Sequence, residues 1–347
     1  MVPVIDLCCL PVVADVDVVR IDDVSAPGRA RRVAAALATE LGFGETRVAE
    51  IEIAVTELGT NLHKHARAGM VFVRSVRAVE AAAVEIVAVD SGPGMADVDQ
   101  AMRDGRSSTG TLGVGLGAVS RLADTCSVSS EPGAGTVVAA RFHRRRGIPD
   151  ELPGEVAAGI TLPIDGEEVC GDAYAVCGDN GRIRLMMCDG SGHGPLAAWA
   201  AQAGVRSFHE DHSGGPGDIL ARVHAAMRGT RGGAVAVADL DLERRAVRFA
   251  GLGNIAATVV ADGRKNGMVS VPGIAGYQAR TIKTFDYSLP EGATVVLHSD
   301  GLTERWSPED RIRLFNREPL LIAATLLRDA GVRKDDAGVL VARPPDR

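Results

Sequence analysis

Val48, Ile51, Val55, Leu58 and Leu62 recur at alternating steps of three and four, which is the spacing of one helical face, and predict a helix over residues 45–66. An earlier helix over 25–41 follows from Ser25 as N-cap and Pro27 in the first turn. Short apolar runs predict strands at 70–76, 84–89, 126–130 and 136–142. A glycine-rich stretch, 105–117, leads into a short helix near 118–122. Beyond residue 154 strands dominate, at 156–162, 173–176, 182–188, 234–238, 246–250, 256–260, 294–299 and 338–342. Helical patterns there cover 195–208, 218–227 and 319–330. Helices nested between many strands predict a sheet sandwich with helices outside. The apolar start, residues 1–19, is interrupted by Asp6 and has no basic leader, so it reads as a strand pair rather than a signal peptide.

Between the two patterns lies HRRRGIPDELPG, residues 143–154, basic then acidic, with Pro149 and Pro153. It reads as a linker and gives domains 1–142 and 155–347. A length of 347 residues fits two domains. Hydrophobic residues at 46% and charged residues at 24% describe a soluble globular chain. Aromatic content of 3% leaves the cores to Val, Leu, Ile and Ala. Net charge is −7 and Arg144-Arg145-Arg146 is a solvated run, so no nucleic-acid partner is expected. No apolar run of membrane-spanning length occurs. Six cysteines without a CxxC pair argue against zinc and against a disulfide scaffold, and suit reduced thiols in the cytoplasm.

Glu57 and Asn61 lie four residues apart and share one face of the second helix. An amide oxygen there can ligate Mg²⁺, and a carboxylate can orient or deprotonate a hydroxyl. Alone, such a pair is an ordinary solvated face. The strand at 84–89 ends in Asp90-Ser91-Gly92-Pro93-Gly94, where an aspartate can accept from an adenine amino group and glycines admit the base. Gly110-Thr111-Leu112-Gly113-Val114-Gly115-Leu116-Gly117 then opens a helix whose N–H groups can wrap phosphates. It is neither a Walker loop nor a Rossmann fingerprint. Gly133-Ala134-Gly135-Thr136 either places Thr136 near a nucleotide or is a plain hairpin turn.

These boxes, ELGTN, DSGPG, TLGVGLGAVSRL and GAGT, in this order, resemble the Bergerat-fold (GHKL) ATP-binding family across roughly residues 18–142. Within it the chain is similar to the small serine/threonine switch kinases of anti-sigma and stressosome cascades. The resemblance implies an α/β sandwich that binds ATP and Mg²⁺, with Glu57 as catalytic base and Asn61 on the metal. Asp90, Gly92, Gly94, Gly113, Gly115, Gly117 and Thr136 would hold the nucleotide. His63 and His65 read as surface or packing residues rather than phosphate acceptors.

In the second half, carboxylates stand at strand ends: Asp172 in CGDAY, Asp189 in DGSGHG, Asp300 in HSDG, and Asp335-Asp336 before the last strand. Each Asp-Gly alone describes a turn. Several in order, each beside an apolar strand, can converge on one rim and suit Mg²⁺ or Mn²⁺. Two such ions, about 4 Å apart, can activate water for attack on phosphorus. The same elements resemble the SpoIIE-like branch of the type-2C (PPM) phosphatases over roughly residues 154–343, in particular the stressosome feedback phosphatases, which the GLGN at 251–254 also matches. The resemblance implies an αββα sandwich with two Mn²⁺ or Mg²⁺. Asp189 would bridge both ions and be central to catalysis, Gly190 (through its carbonyl) and Asp172 would hold one, and Asp300 with Asp335 the other, Asp336 being the alternative to Asp335. Gly338 stands where many relatives carry a hydroxyl or compact apolar residue, and the region 303–317 is short.

The combined expectation is an α+β chain that both phosphorylates and dephosphorylates serine or threonine on a STAS-type antagonist or stressosome scaffold protein, in a partner-switching pathway controlling a downstream regulator or sigma factor. The alternative is a phosphatase whose first domain senses ATP, or binds a sigma factor or scaffold, without kinase turnover.

Overall fold

The computed structural model describes residues 12–77, 82–103, 115–146, 156–179, 181–277, 279, 281–332 and 334–345. The chain divides into two units, Pro11–Leu152 and Pro153–Arg347. The first half of the expected N-terminal strand pair, residues 1–11, lies outside the described residues.

In the first unit, strands β1 (Val12–Arg20), β2 (Met70–Arg77), β3 (Ala82–Asp90), β4 (Thr125–Ser130) and β5 (Thr136–His143) form an antiparallel sheet in the order β1-β2-β3-β5-β4. Helices α1 (Ala26–Glu40), α2 (Glu45–His65), α3 (Val98–Met102) and α4 (Gly115–Leu122) accompany it. The predicted stripe of α2 is buried at Ile51, Val55, Leu58 and Leu62 and half-buried at Val48. It packs on Val71, Val73, Val84, Ile86, Val138 and Phe142, which alternate along their strands and so share one sheet face. Each fully buried aliphatic side chain contributes about 1.5–3 kcal/mol.

Ser25 makes no side-chain cap. Asp23 does that work: its Oδ1 accepts the N–H groups of Ser25 at 2.7 Å and Ala26 at 3.1 Å and the Ser25 hydroxyl at 2.6 Å. A carboxylate beside a helix N-terminus is the stronger acceptor. Helix α3 is an addition to the sequence reading; Asp97 caps it by accepting the Gln100 N–H at 2.8 Å. On adjacent strands Arg74 faces Glu85 and Glu85 faces Arg141. Glu85 accepts from Arg74 Nε at 2.7 Å and Arg141 Nε at 3.0 Å. Burial would raise this carboxyl, but the two guanidiniums hold it below its ordinary value.

The second unit stacks two five-stranded antiparallel sheets. One contains β7 (Asp172–Asp179), β8 (Arg182–Gly190), β9 (Gly233–Asp241), β10 (Ala246–Leu252) and β13 (Phe285–Ser288), ordered β13-β10-β9-β8-β7. The other contains β6 (Ala157–Leu162), β11 (Ala256–Ala261), β12 (Arg264–Met268), β14 (Thr294–His298) and β15 (Ala337–Ala342), ordered β12-β11-β14-β15-β6. Ile183, Leu185, Met187 and Phe249 from one sheet meet Val259, Val295, Leu297 and Leu340 from the other, forming the inner core. Helices α5 (Pro195–Glu210) and α6 (Pro216–Ala226) cover the outer side of the first sheet, where Met186, Cys188, Val235 and Val237 meet Ala200, Phe208, Leu220 and Val223. Helix α7 (Pro319–Ala330) packs on β6 and β15. This is the expected αββα layering, with β12 and β13 added at sheet edges. No described helix is long and apolar enough to cross a membrane.

Candidate functional site

In the first unit, Asp90 ends β3 opposite Thr136, which begins β5. Asp90 is buried, and its Oδ1 accepts the Gly92 N–H at 2.6 Å. The turn after it is stitched to the β4–β5 hairpin. Gly133 N–H donates to the Pro93 carbonyl at 2.7 Å and Met95 N–H to Ser130 Oγ at 2.8 Å. The Ser130 and Thr136 hydroxyls pair at 2.9 Å. Gly94 and Gly135 adopt φ of +65° and +79°, and a Cβ on Gly135 would stand 2.0 Å from the Asp90 carbonyl. Only glycine fits there. The GAGT segment is therefore a hairpin turn and also the direct neighbour of Asp90.

The end of α2 meets the same turn, because Ser91 N–H donates to the Arg67 carbonyl at 2.9 Å. Glu57 and Asn61 are half-buried one turn apart on α2, and His63 and His65 are exposed. Gly115 and Gly117 open α4. Gly117 is buried, while a Cβ on Gly115 would meet nothing within 4 Å, leaving open space beside that helix start. Gly113 lies outside the described residues. The far end of α4 is anchored by Arg47, which donates to the Leu122 carbonyl at 2.7 Å and the His143 carbonyl at 2.9 Å and pairs with Asp124. The end of β3 thus presents a buried carboxylate flanked by glycines beside the end of α2, an arrangement that can accept a hydrogen bond from an amino group.

In the second unit, Asp172 begins β7 and faces Asp189 near the end of β8. Asp300 follows β14, and Asp335 precedes β15, the strand with which β14 pairs. Each sheet thus sends two carboxylates to one end of the inner core. Asp189, Asp300 and Asp335 line a cavity of about 620 Å³ together with Ser191, Gly192 and Asn254. Asp300 and Asp335 are exposed, Asp189 is half-buried and Asp172 is buried. Gly190 packs so closely on α5 that a Cβ would stand 2.1 Å from the Ala197 carbonyl.

Burial, then the charges of Asp300 and Asp335, push the Asp189 carboxyl up to about 7. Burial, then Asp189, push Asp172 well above the usual carboxylate range. Neither oxygen of Asp172 has a hydrogen-bond partner of good geometry; the Ser299 hydroxyl beside it relieves the group only in part. Among the described residues, no three acidic, His or Cys side chains are already drawn into a metal-holding cluster. Oxygen-only donors, an orphaned buried carboxylate and mutual repulsion all fit a hard divalent cation. The same residues fit no soft metal.

Asp335 and Asp336 separate here. Asp335 faces the cavity. Asp336 is buried, with Oδ1 accepting the Ile164 N–H at 2.8 Å and Oδ2 the Gly171 N–H at 2.9 Å. Both of its oxygens brace the segment that presents Asp172. Gly338 also gains a reason: a Cβ would stand 2.2 Å from Met187 Cε and 3.1 Å from Asp172 Oδ2. Its N–H donates to Ser299 Oγ at 3.0 Å, just after β14. Sequence reasoning gave no role to Ser299. It noted Asn254 only as part of GLGN, yet Asn254 Nδ2 donates to Asp300 Oδ2 at 2.6 Å. At the rim, His193 Nδ1 and Glu167 Oε1 pair at 2.8 Å.

Residues 22–142 match the family described as Histidine kinase-like ATPase domain, and residues 179–345 match Stage II sporulation protein E (SpoIIE). The serine/threonine-protein kinase RsbT of Bacillus subtilis (strain 168) is 35% identical over 135 residues, which are 39% of this chain and 95% of that protein. The phosphoserine phosphatase RsbX of the same organism is 23% identical over 143 residues, 41% of this chain and 71% of that protein. A solved structure described as "The bacterial stressosome: a modular system that has been adapted to control secondary messenger signaling" contains a chain 31% identical. Its TM-score is 0.51, over 54% of this chain and 98% of that one.

Proposed function

We propose that this chain, which belongs to the histidine-kinase-like ATPase family of RsbT in its first half and matches SpoIIE over residues 179–345, carries two opposed enzymes acting on one phosphosite. Residues 1–142 phosphorylate, residues 143–154 link, and residues 155–347 dephosphorylate a serine or threonine of a STAS-type antagonist or stressosome scaffold. The observation that supports the reading is that Asp189 from one sheet and Asp300 and Asp335 from the other line one cavity, with Asp172 facing Asp189.

In the phosphatase, Asp189 stands between Asp172 on one side and Asp300 and Asp335 on the other, and with the Gly190 carbonyl they would hold two divalent cations. Those cations, when bound, supply activation of water and neutralisation of phosphoryl charge. Asn254 orients Asp300, and Ser299 orients the strand end beside Asp172. Asp336 acts as a brace rather than a ligand. In the kinase, Asp90 would take the adenine amino group and Asn61 would hold Mg²⁺. Glu57 accepts the proton of the attacking hydroxyl, and Gly92, Gly94, Gly113, Gly115, Gly117 and Thr136 let the backbone approach the nucleotide.

The test is incubation of the full chain with ATP and candidate STAS proteins, reading partner phosphorylation and released phosphate. Wild type should release phosphate continuously only when partner is present, because the two reactions sum to ATP hydrolysis. Asp189→Asn should bring the partner to a higher phosphorylation plateau. Equal plateaus would show that the phosphatase serves another protein. No phosphorylation by either chain would leave an ATP-sensing or partner-binding first domain.

A further inference from the structure

We propose that Arg231 is the phosphoryl-recognition residue of the second unit, taking the non-bridging oxygens of a phosphoserine or phosphothreonine side chain at the cavity mouth. The proposal rests on the phosphatase reading above and adds a substrate contact to it.

The cavity lining includes Asp189, Asp300 and Asp335 and neither lysine nor arginine. The carboxylates of Asp172, Asp189, Asp300 and Asp335 would balance the charge of two divalent cations, so a loaded site has no net positive charge to set against a phosphomonoester dianion beyond the ions' own contacts. A cation beside the site, outside the carboxylate shell, would add that charge. Arg231 is where that cation stands. Its Nη1 lies 3.1 Å from where a Cβ on Gly192 would be, so the guanidinium rests against the Asp189–Gly192 turn that lines the cavity. Gly192, with φ of +89°, leaves the space that the guanidinium occupies.

The loop that carries Arg231 is fixed on both sides. Thr230 Oγ1 donates to the Met227 carbonyl at 2.7 Å and accepts the Gly232 N–H at 2.9 Å. The Gly232 carbonyl accepts the Ser191 N–H at 2.9 Å, tying the loop directly to the turn after Asp189. The side chain is exposed and, among the described residues, has neither an ion pair nor a hydrogen bond. Other arginines of this unit are held by carboxylates, as Arg182 is by Asp239 and Asp241. A guanidinium left unpaired on a fixed loop beside an acidic cavity is preorganised for a planar, two-oxygen grip on an anion.

The test uses the full chain with Mn²⁺, p-nitrophenyl phosphate as substrate and inorganic phosphate as competitor. Mn²⁺ affinity is read separately by electron paramagnetic resonance, and phosphate binding to the Mn²⁺-loaded protein by calorimetry. Arg231→Ala should weaken phosphate binding and raise KM about tenfold or more, the worth of one charge-assisted contact, and leave Mn²⁺ affinity unchanged. Arg231→Lys should recover part of the loss as a point charge without the fork. Unaltered phosphate binding in Arg231→Ala would overturn the proposal. So would a loss matched by an equal loss of Mn²⁺ affinity, which would make the residue a support of the metal shell. A wild-type chain that binds Mn²⁺ but hydrolyses nothing and takes up no phosphate would overturn the phosphatase reading itself, before any Arg231 variant is compared.

Discussion

Replacing Asp336 with asparagine, beside the same change at Asp335, asks which of two adjacent carboxylates serves the site and which serves the fold. The Asp336 carboxylate accepts two backbone N–H groups, from Ile164 and Gly171. An amide keeps one acceptor and turns its own N–H₂ toward the second donor. Losing one bond to a charged acceptor and leaving a buried donor unmet costs about 2–4 kcal/mol. Removing a charge that presses on Asp172 and Asp189 returns part of this, so the net loss is about 2 kcal/mol. For a unit of this size that is about 4–8 °C in Tm. Asp335 is exposed, and the one hydrogen bond described for its side chain, from the Asp336 N–H at 2.9 Å, survives in asparagine. Asp335→Asn should therefore melt within about 2 °C of wild type in EDTA, yet bind Mn²⁺ about tenfold more weakly or worse. Calorimetric melting in EDTA and Mn²⁺ titration read the two quantities independently. If Asp336→Asn keeps the wild-type Tm and loses Mn²⁺ as strongly as Asp335→Asn, the division of labour drawn from the hydrogen bonds is wrong.

Asp189→Asn should lower Mn²⁺-dependent hydrolysis of a phosphoserine peptide to less than about a tenth of wild type, since one carboxylate faces both halves of the ligand set; a larger residual rate contradicts the two-cation reading. Asn61→Ala should abolish Mg-ATP binding, whereas Glu57→Ala should spare binding and lose phosphoryl transfer; nucleotide titration and partner phosphorylation separate these, and a wild-type transfer rate in Glu57→Ala removes the base role. Glu85→Gln strands two buried guanidiniums and should destabilise the first unit by about 3–5 kcal/mol. Because the folded-state pKa of Glu85 is depressed, its contribution is complete above its ordinary value of 4.5 and fades as pH falls through the folded value. Melting curves of wild type should accordingly drop in acid more steeply than those of Glu85→Gln, and parallel curves would deny the linkage.

What the sequence made legible was whatever repeats or stands in a line. The three-and-four spacing of α2 and the apolar runs of β3, β8 and β14 each place a buried face within a residue or two of where it lies. The carboxylates were visible for the same reason, each standing at or beside the start or end of an apolar strand. Short polar elements carried no such signal: β12 is largely exposed, β13 has four residues, and α3 is one turn and a half. The Asp97 cap was the available clue to α3, and Asp23, two residues before Ser25, the clue to the cap of α1. Pairings across long separations were out of reach. Nothing local in Asp336 says that its acceptors meet Ile164 and Gly171, nor in Gly338 that Met187 fills its space.

The facing of Asp172 and Asp189 across β7 and β8 makes correct assembly and chemical competence a single event. Asp189 shares strand parity with Ile183, Leu185 and Met187, and Asp172 with Tyr174 and Val176, all inner-core residues. A slip of one residue between these strands would turn the two acids to opposite faces of the sheet, and were β8 the strand displaced, Arg182 and Arg184 would enter the apolar interior in place of Leu185 and Met187. No misaligned chain could then be both tightly packed and merely inactive. An error in synthesis or refolding would surface as a poorly packed, protease-sensitive species, open to removal before it could compete for partners.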